Sequence, residues 1–101
     1  MTHIQELTEA IHRVHGGTAT HRESVTVKEV FNGQTVWDGI VEVFHLAGHP
    51  KTDTVYAWTH DTGNPEQPFR HVAVLRIHPA LSPIDAVRAF IVQEFRNAQT
   101  A

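Results

Sequence analysis

The dipeptide Asn32-Gly33 separates two residue runs that can each extend as a strand, Glu23 to Phe31 and Gln34 to Leu46. Both residues accept the positive φ that a two-residue type I′ turn demands at its central positions, and the twist of that turn matches the strands it joins. A hairpin therefore organises the middle of the chain. With Phe31 paired to Gln34, Lys28 falls opposite Trp37 and Val27 opposite Asp38. Val25, Val27 and Phe31 alternate with Thr26, Lys28 and Val30; Val36, Ile40 and Phe44 alternate with Trp37, Val41 and Val43. Both faces of the hairpin thus carry apolar groups. Gly39 is the expected site of a bulge, beyond which inward and outward positions exchange.

The flanking segments complete the fold. Thr2 to His15 carries Ile4, Leu7, Ile11 and Val14 at helical spacing, with a capping-box pair Thr2 and Gln5 at its start and Gly16-Gly17 at its end. Ala47 to Thr52 reads as a loop, Asp53 to His60 as a third strand with Tyr56 and Trp58 on one side and Val55 and Ala57 on the other. Asp61 to Pro68 is rich in Gly, Asn and Pro and reads as a connector or a lid. Phe69 to His78 forms a fourth strand. Ser82, Pro83 and Asp85 signal the start of a second helix with an apolar stripe of Ile84, Val87, Phe90, Ile91 and Phe95, and its tail from Asn97 is expected to fray. The expected architecture over residues 1–101 is a single α+β domain of order α-β-β-β-β-α. It is a two-layer sandwich in which a four-stranded antiparallel meander carries both helices on one face. This order resembles that of the double-stranded-RNA-binding domain, helix, three strands, helix; the fourth strand and the lack of a basic cluster at the start of the last helix set the chain apart.

Composition narrows the partners. Lys and Arg number 8 against 11 Asp and Glu, a formal charge of -3, which argues against duplex DNA and anionic membranes. The absence of cysteine excludes disulfides, thiolate catalysis and sulfur-ligated metal. No apolar run approaches the roughly 18 residues of a membrane span, and Met1-Thr2-His3 does not begin a secretory signal, so a cytoplasmic location is expected. No motif implies a cofactor.

Four functional readings compete. A metal site would draw on His45, His49 and His60, with His71 and His78 on nearby strands, although four-residue spacing joins two side chains only on a helix. A catalytic reading gathers Glu42, His45, Tyr56 and His71 as acid and base groups in a small-molecule pocket between sheet and helices. A third places Trp37, Tyr56 and Trp58 beside Lys28, Arg70, Arg76 and His78 on an open sheet face, rings and cations that stack unpaired bases of single-stranded nucleic acid. The favoured reading gives that open face, with Lys28, Trp37, Tyr56, Trp58, Arg70 and Arg76, to a second copy of the chain. The protein is then a homodimeric binding or assembly module, leaning away from enzyme. The Glu9–Arg13 pair and the Gly48-His49-Pro50-Lys51 turn read as surface features.

Nine histidines make the charge unusually sensitive to pH: protonating all of them carries it from -3 to -3 + 9 = +6. Unperturbed imidazoles titrate near about pH 6.5, so the net charge crosses zero in mildly acidic buffer. A solubility minimum is expected there, and a flat solubility profile between about pH 5 and 8 would contradict it.

Overall fold

The computed structural model describes residues 3–100, with side chains through Arg96. Its elements are α1 (His3–His15), β1 (Thr18–Phe31), β2 (Gln34–Ala47), β3 (Thr54–Asp61), β4 (Phe69–Leu75) and α2 (Pro83–Thr100). The strands form one open antiparallel sheet in the order β1-β2-β3-β4, so the meander and the order α-β-β-β-β-α are as expected. Thr2 of the expected capping box lies outside the described residues. β4 stops at Leu75 rather than His78, where the Ile77 amide turns back onto the Leu75 carbonyl. The Ser82 hydroxyl accepts from the Asp85 amide at 3.2 Å, capping α2 as its sequence predicts. α2 then runs on to Thr100, past the point where fraying was expected.

At the hairpin turn Asn32 and Gly33 have φ of 52° and 77°, the left-handed pair that a type I′ turn requires. Phe31 pairs with Gln34 and Val30 with Thr35, but the register then shifts by one. Glu29 faces Trp37, Lys28 faces Asp38 and Val27 faces Gly39. The unpaired residue is Val36, so the expected pairing of Lys28 with Trp37 is corrected. A second shift lies on β1 between His21 and Glu23, leaving Arg22 as the extra residue. Gly39, the expected bulge, is in register. A Cβ there would lie 3.1 Å from the Trp37 ring, so the glycine leaves room for the indole to lie across the strand.

The layers differ from expectation. Val27, Val41, Val43, Tyr56 and Trp58 pack with Ala86, Val87 and Phe90 of α2, and Val72 and Val74 join them. Ala19, Phe44, Leu46, Val55 and Ala57 pack with Leu7 and Ile11 of α1, joined by Ala73 and Leu75. Successive residues of a strand point to opposite faces, so the alternation of β3 between these clusters places the helices on opposite sides of the sheet. The domain has three layers, α1 over one face and α2 over the other. The reason is the run Thr54–Trp58, buried on both faces, which a single helical layer would leave half in water.

α1 meets the sheet through a close backbone approach. Gly16 and Gly17 both have positive φ, 76° and 73°, but only Gly17 is confined: a Cβ there would stand 2.6 Å from the Ala47 carbonyl oxygen, whereas Gly16 faces open space. Replacing Gly16 with Ala is expected to cost about 1–2 kcal/mol for the left-handed backbone alone. Replacing Gly17 should cost about 1–3 kcal/mol more, because a clash is added to the same strain. Urea denaturation of the two variants measures the difference, and equal losses would show that the approach to Ala47 is not constraining.

Candidate functional site

The sheet face expected to be open lies beneath α2. Tyr56 and Trp58 are buried, Trp58 only 1% exposed, with edge-to-face contacts from Trp58 to Phe90 at 5.5 Å and to Trp37 at 5.7 Å. Each such contact contributes about 0.5–1.5 kcal/mol beyond simple burial. The Trp58 indole N–H has no hydrogen-bond partner, a cost of about 1–3 kcal/mol that the ring's packing must outweigh. Arg70 is bound to Glu94 at 2.6 Å and lies over Phe90; Arg76 donates to the Leu81 carbonyl. Lys28 lies on the other face, opposite Asp38. The expected interface of Lys28, Trp37, Tyr56, Trp58, Arg70 and Arg76 is therefore corrected. Tyr56 and Trp58 belong to the protein's own core, with Trp37 packed against them, so this face offers no ring platform to unpaired bases.

The catalytic candidates are also divided by the sheet. Alternation puts Glu42 and His71 on the α1 face and His45 and Tyr56 on the α2 face, so the four do not converge. Of the metal candidates, His45 stands opposite Thr54, His60 packs on Phe90 at 5.0 Å, and His49 accepts from the Lys51 amide within its loop. Among the described residues no group of three or more His, Asp or Glu side chains is placed to hold a metal ion. In the loop from Asp61 to Pro68, Asp61 accepts from the Gly63 amide and Asn64 from the Glu66 amide, successive turns that suit a connector.

Two features stand out instead. The first is a groove. β1 and β2 each have 14 residues against 8 in β3, and β3 pairs with β2 only from Glu42 to His45. The hairpin tip therefore projects beyond the sheet and meets the far end of α2. Between them runs an open groove of about 630 Å³, lined by Phe31 and Val36 of the hairpin and Ile91, Val92 and Phe95 of α2. Phe31 and Phe95 are 67% and 65% exposed. Its two charged residues, Glu29 and Arg88, are bound to each other at 2.5 Å, so the groove presents no unpaired charge of its own. Phe95 continues the apolar stripe of α2 by its spacing, but it is exposed at this end of the helix.

The second is Glu42, the one buried charged side chain among the described residues. Its Oε1 accepts from His21 Nε2 at 3.0 Å and from the Ser24 hydroxyl. His21 reaches it because Arg22 is bulged out of β1, which carries His21 and Ser24 to the same face on either side of the carboxylate, the His21 ring edge-on to Phe44. The sequence signalled Glu42 as the lone charge in the run Gly39–Leu46, but not its partners.

No protein-family model matches the chain, and neither a curated protein nor a solved structure is significantly similar to it. No helix among the described residues is long and apolar enough to cross a membrane.

Two ionisable groups are shifted. The Thr54 hydroxyl, donating to Asp53 at 3.0 Å, holds that carboxyl below its usual range. Burial pushes the Tyr56 phenol up, against the opposing pull of nearby Arg76. The unfolded chain therefore releases this proton first, and stability is expected to fall as pH rises through the ordinary tyrosine value near about 10. Tyr56 is the only tyrosine, so phenolate absorbance reads it alone. The expected result is a titration midpoint above the ordinary value, and a midpoint at or below it would show the hydroxyl to be solvated.

Proposed function

We propose that the chain is a small assembly module that pairs with a second copy of itself through the groove between the hairpin tip and α2. The observation that carries this is the exposure of Phe31 and Phe95 on opposite walls of one apolar groove. A twofold axis brings the same patch to itself, so a ring standing proud of one copy meets the groove of the other without any additional surface. At roughly 200 Å² per phenylalanine, the two rings with Val36 and Val92 offer about 400 Å² of apolar surface per copy. Twice that, about 800 Å², is the apolar share of an interface of about 1,300 Å², inside the range of specific dimers. The Glu29–Arg88 pair leaves the groove neutral, which suits an identical partner and selects against a strongly charged one.

The volume and apolar lining of the groove also fit a small uncharged ligand, the second reading. A soluble assembly module in the cytoplasm accords with the acidic composition. Light scattering over a concentration series is expected to show a dimer. Phe95→Glu, at a mostly exposed position, should leave the fold intact and weaken pairing by at least about tenfold, as loss of a central aromatic does. A parent chain monomeric at high micromolar concentration would remove the dimer, and an apolar dye that binds the parent but not Phe95→Glu would then favour the ligand.

A further inference from the structure

The groove leaves Glu42 unexplained. A buried carboxylate is costly unless it is paired or fully hydrogen-bonded, and nothing in the packing of α1 requires one on the central strand. Its surroundings have a specific order. Glu42 is buried, while its two partners, Ser24 and His21, are exposed residues of the edge strand β1. A hydroxyl bonded directly to a carboxylate, with that carboxylate held in place by a third group, is the arrangement that activates a weak oxygen nucleophile.

We propose that Ser24, Glu42 and His21 form an acyl-transfer site in which Ser24 is the nucleophile, Glu42 its general base and His21 a positioning residue. The site lies on the α1 face, away from the groove, and stands or falls independently of dimerisation. β1 has a sheet neighbour on the β2 side alone, so alternate N–H groups along it face outward. An acyl ester lying extended along this edge can direct its carbonyl oxygen to those donors with its carbonyl carbon over Ser24. Ser24 Oγ attacks the carbonyl carbon and forms a C–O bond as its proton passes to Glu42. The ester C–O bond then breaks, and the leaving alcohol takes that proton. Water, giving a proton to the same carboxylate, attacks the acyl carbon; the acyl–Oγ bond breaks and Oγ takes that proton back from Glu42, so the sum is ester plus water to acid plus alcohol. His21 Nε2–H holds Oε1 throughout, which keeps the carboxylate aimed at Ser24.

The chain contains one other serine, Ser82, whose hydroxyl caps α2 and serves as an internal control. A fluorophosphonate probe reports the nucleophile directly: Oγ bonds to phosphorus, the proton goes to Glu42 and fluoride leaves. Intact-mass and peptide mapping of the treated full chain are expected to show one adduct, at Ser24. Labelling should fall by about a hundredfold in Glu42→Gln, the low end of what a positioned general base contributes. His21→Gln, which keeps a donor, should retain most of the labelling that His21→Leu loses, with circular dichroism confirming that each variant is folded. No adduct on the parent chain, equal adducts on Ser24 and Ser82, or a Glu42→Gln rate within about twofold of the parent would overturn the site and leave the cluster as packing alone. Should Glu42→Gln fail to fold, the parent labelling and the His21 pair decide, and equal labelling in the two His21 variants overturns the assignment of His21.

Discussion

Burial of β3 on both of its faces is the condition from which the rest of the architecture follows. Val55 and Ala57 look toward α1 while Tyr56 and Trp58 look toward α2, and all four are almost wholly removed from water. An antiparallel sheet with one solvated face would show a polar residue at every second position of such a strand. From Val55 to Trp58 this strand shows none, so each face needs a helix. The amphipathic stripes at the two ends of the chain supply one apiece.

The two helices do not cover the sheet completely, and the uncovered parts are where function can reside. The hairpin of β1 and β2 outgrows β3, 14 residues against 8, and because β3 pairs with β2 only from Glu42 to His45, the part of β2 from Gln34 to Val41 runs on without a β3 partner. On one side the overhang leans toward α2 and leaves the groove between Phe31 and Phe95. On the other, the β1 edge carries His21 and Ser24 to Glu42 through the Arg22 bulge. The long hairpin thus carries both the apolar groove and the hydrogen-bonded cluster of His21, Ser24 and Glu42, on opposite faces of one ribbon.

Much of this was legible in the residues. The type I′ turn, the cap at Ser82, the shared side of Tyr56 and Trp58 and most of the α1 stripe follow from local spacing and are found in the structure; of that stripe Leu7 and Ile11 are buried, while Val14, at the helix end, is exposed. The error lay in allotting both helices to one face and leaving the aromatic face exposed. Spacing tells which residues share a side of a strand, and it does not tell which helix comes to rest there. The candidate residues fared unevenly for the same reason. Glu42 stood out as an ionisable group in an apolar run, but the slips at Arg22 and Val36 that determine its partners depend on how the long strands twist against each other, and Gly39, the one residue that suggested a bulge, serves instead to seat Trp37.

Local chemistry by itself therefore settled the kind and order of the elements, though not where β1 begins, at Thr18 rather than Glu23, or where β4 ends, because turn conformations, caps and periodicity act over a few residues and need no knowledge of the whole. It also settled that β3 and its neighbours are apolar on both sides. The side taken by each helix, the burial of Trp58, the exposure of Phe95 and the meeting of His21, Ser24 and Glu42 were decided only by the folded chain. Each depends on contacts between segments far apart in sequence, and a one-residue bulge is enough to change which of them come together.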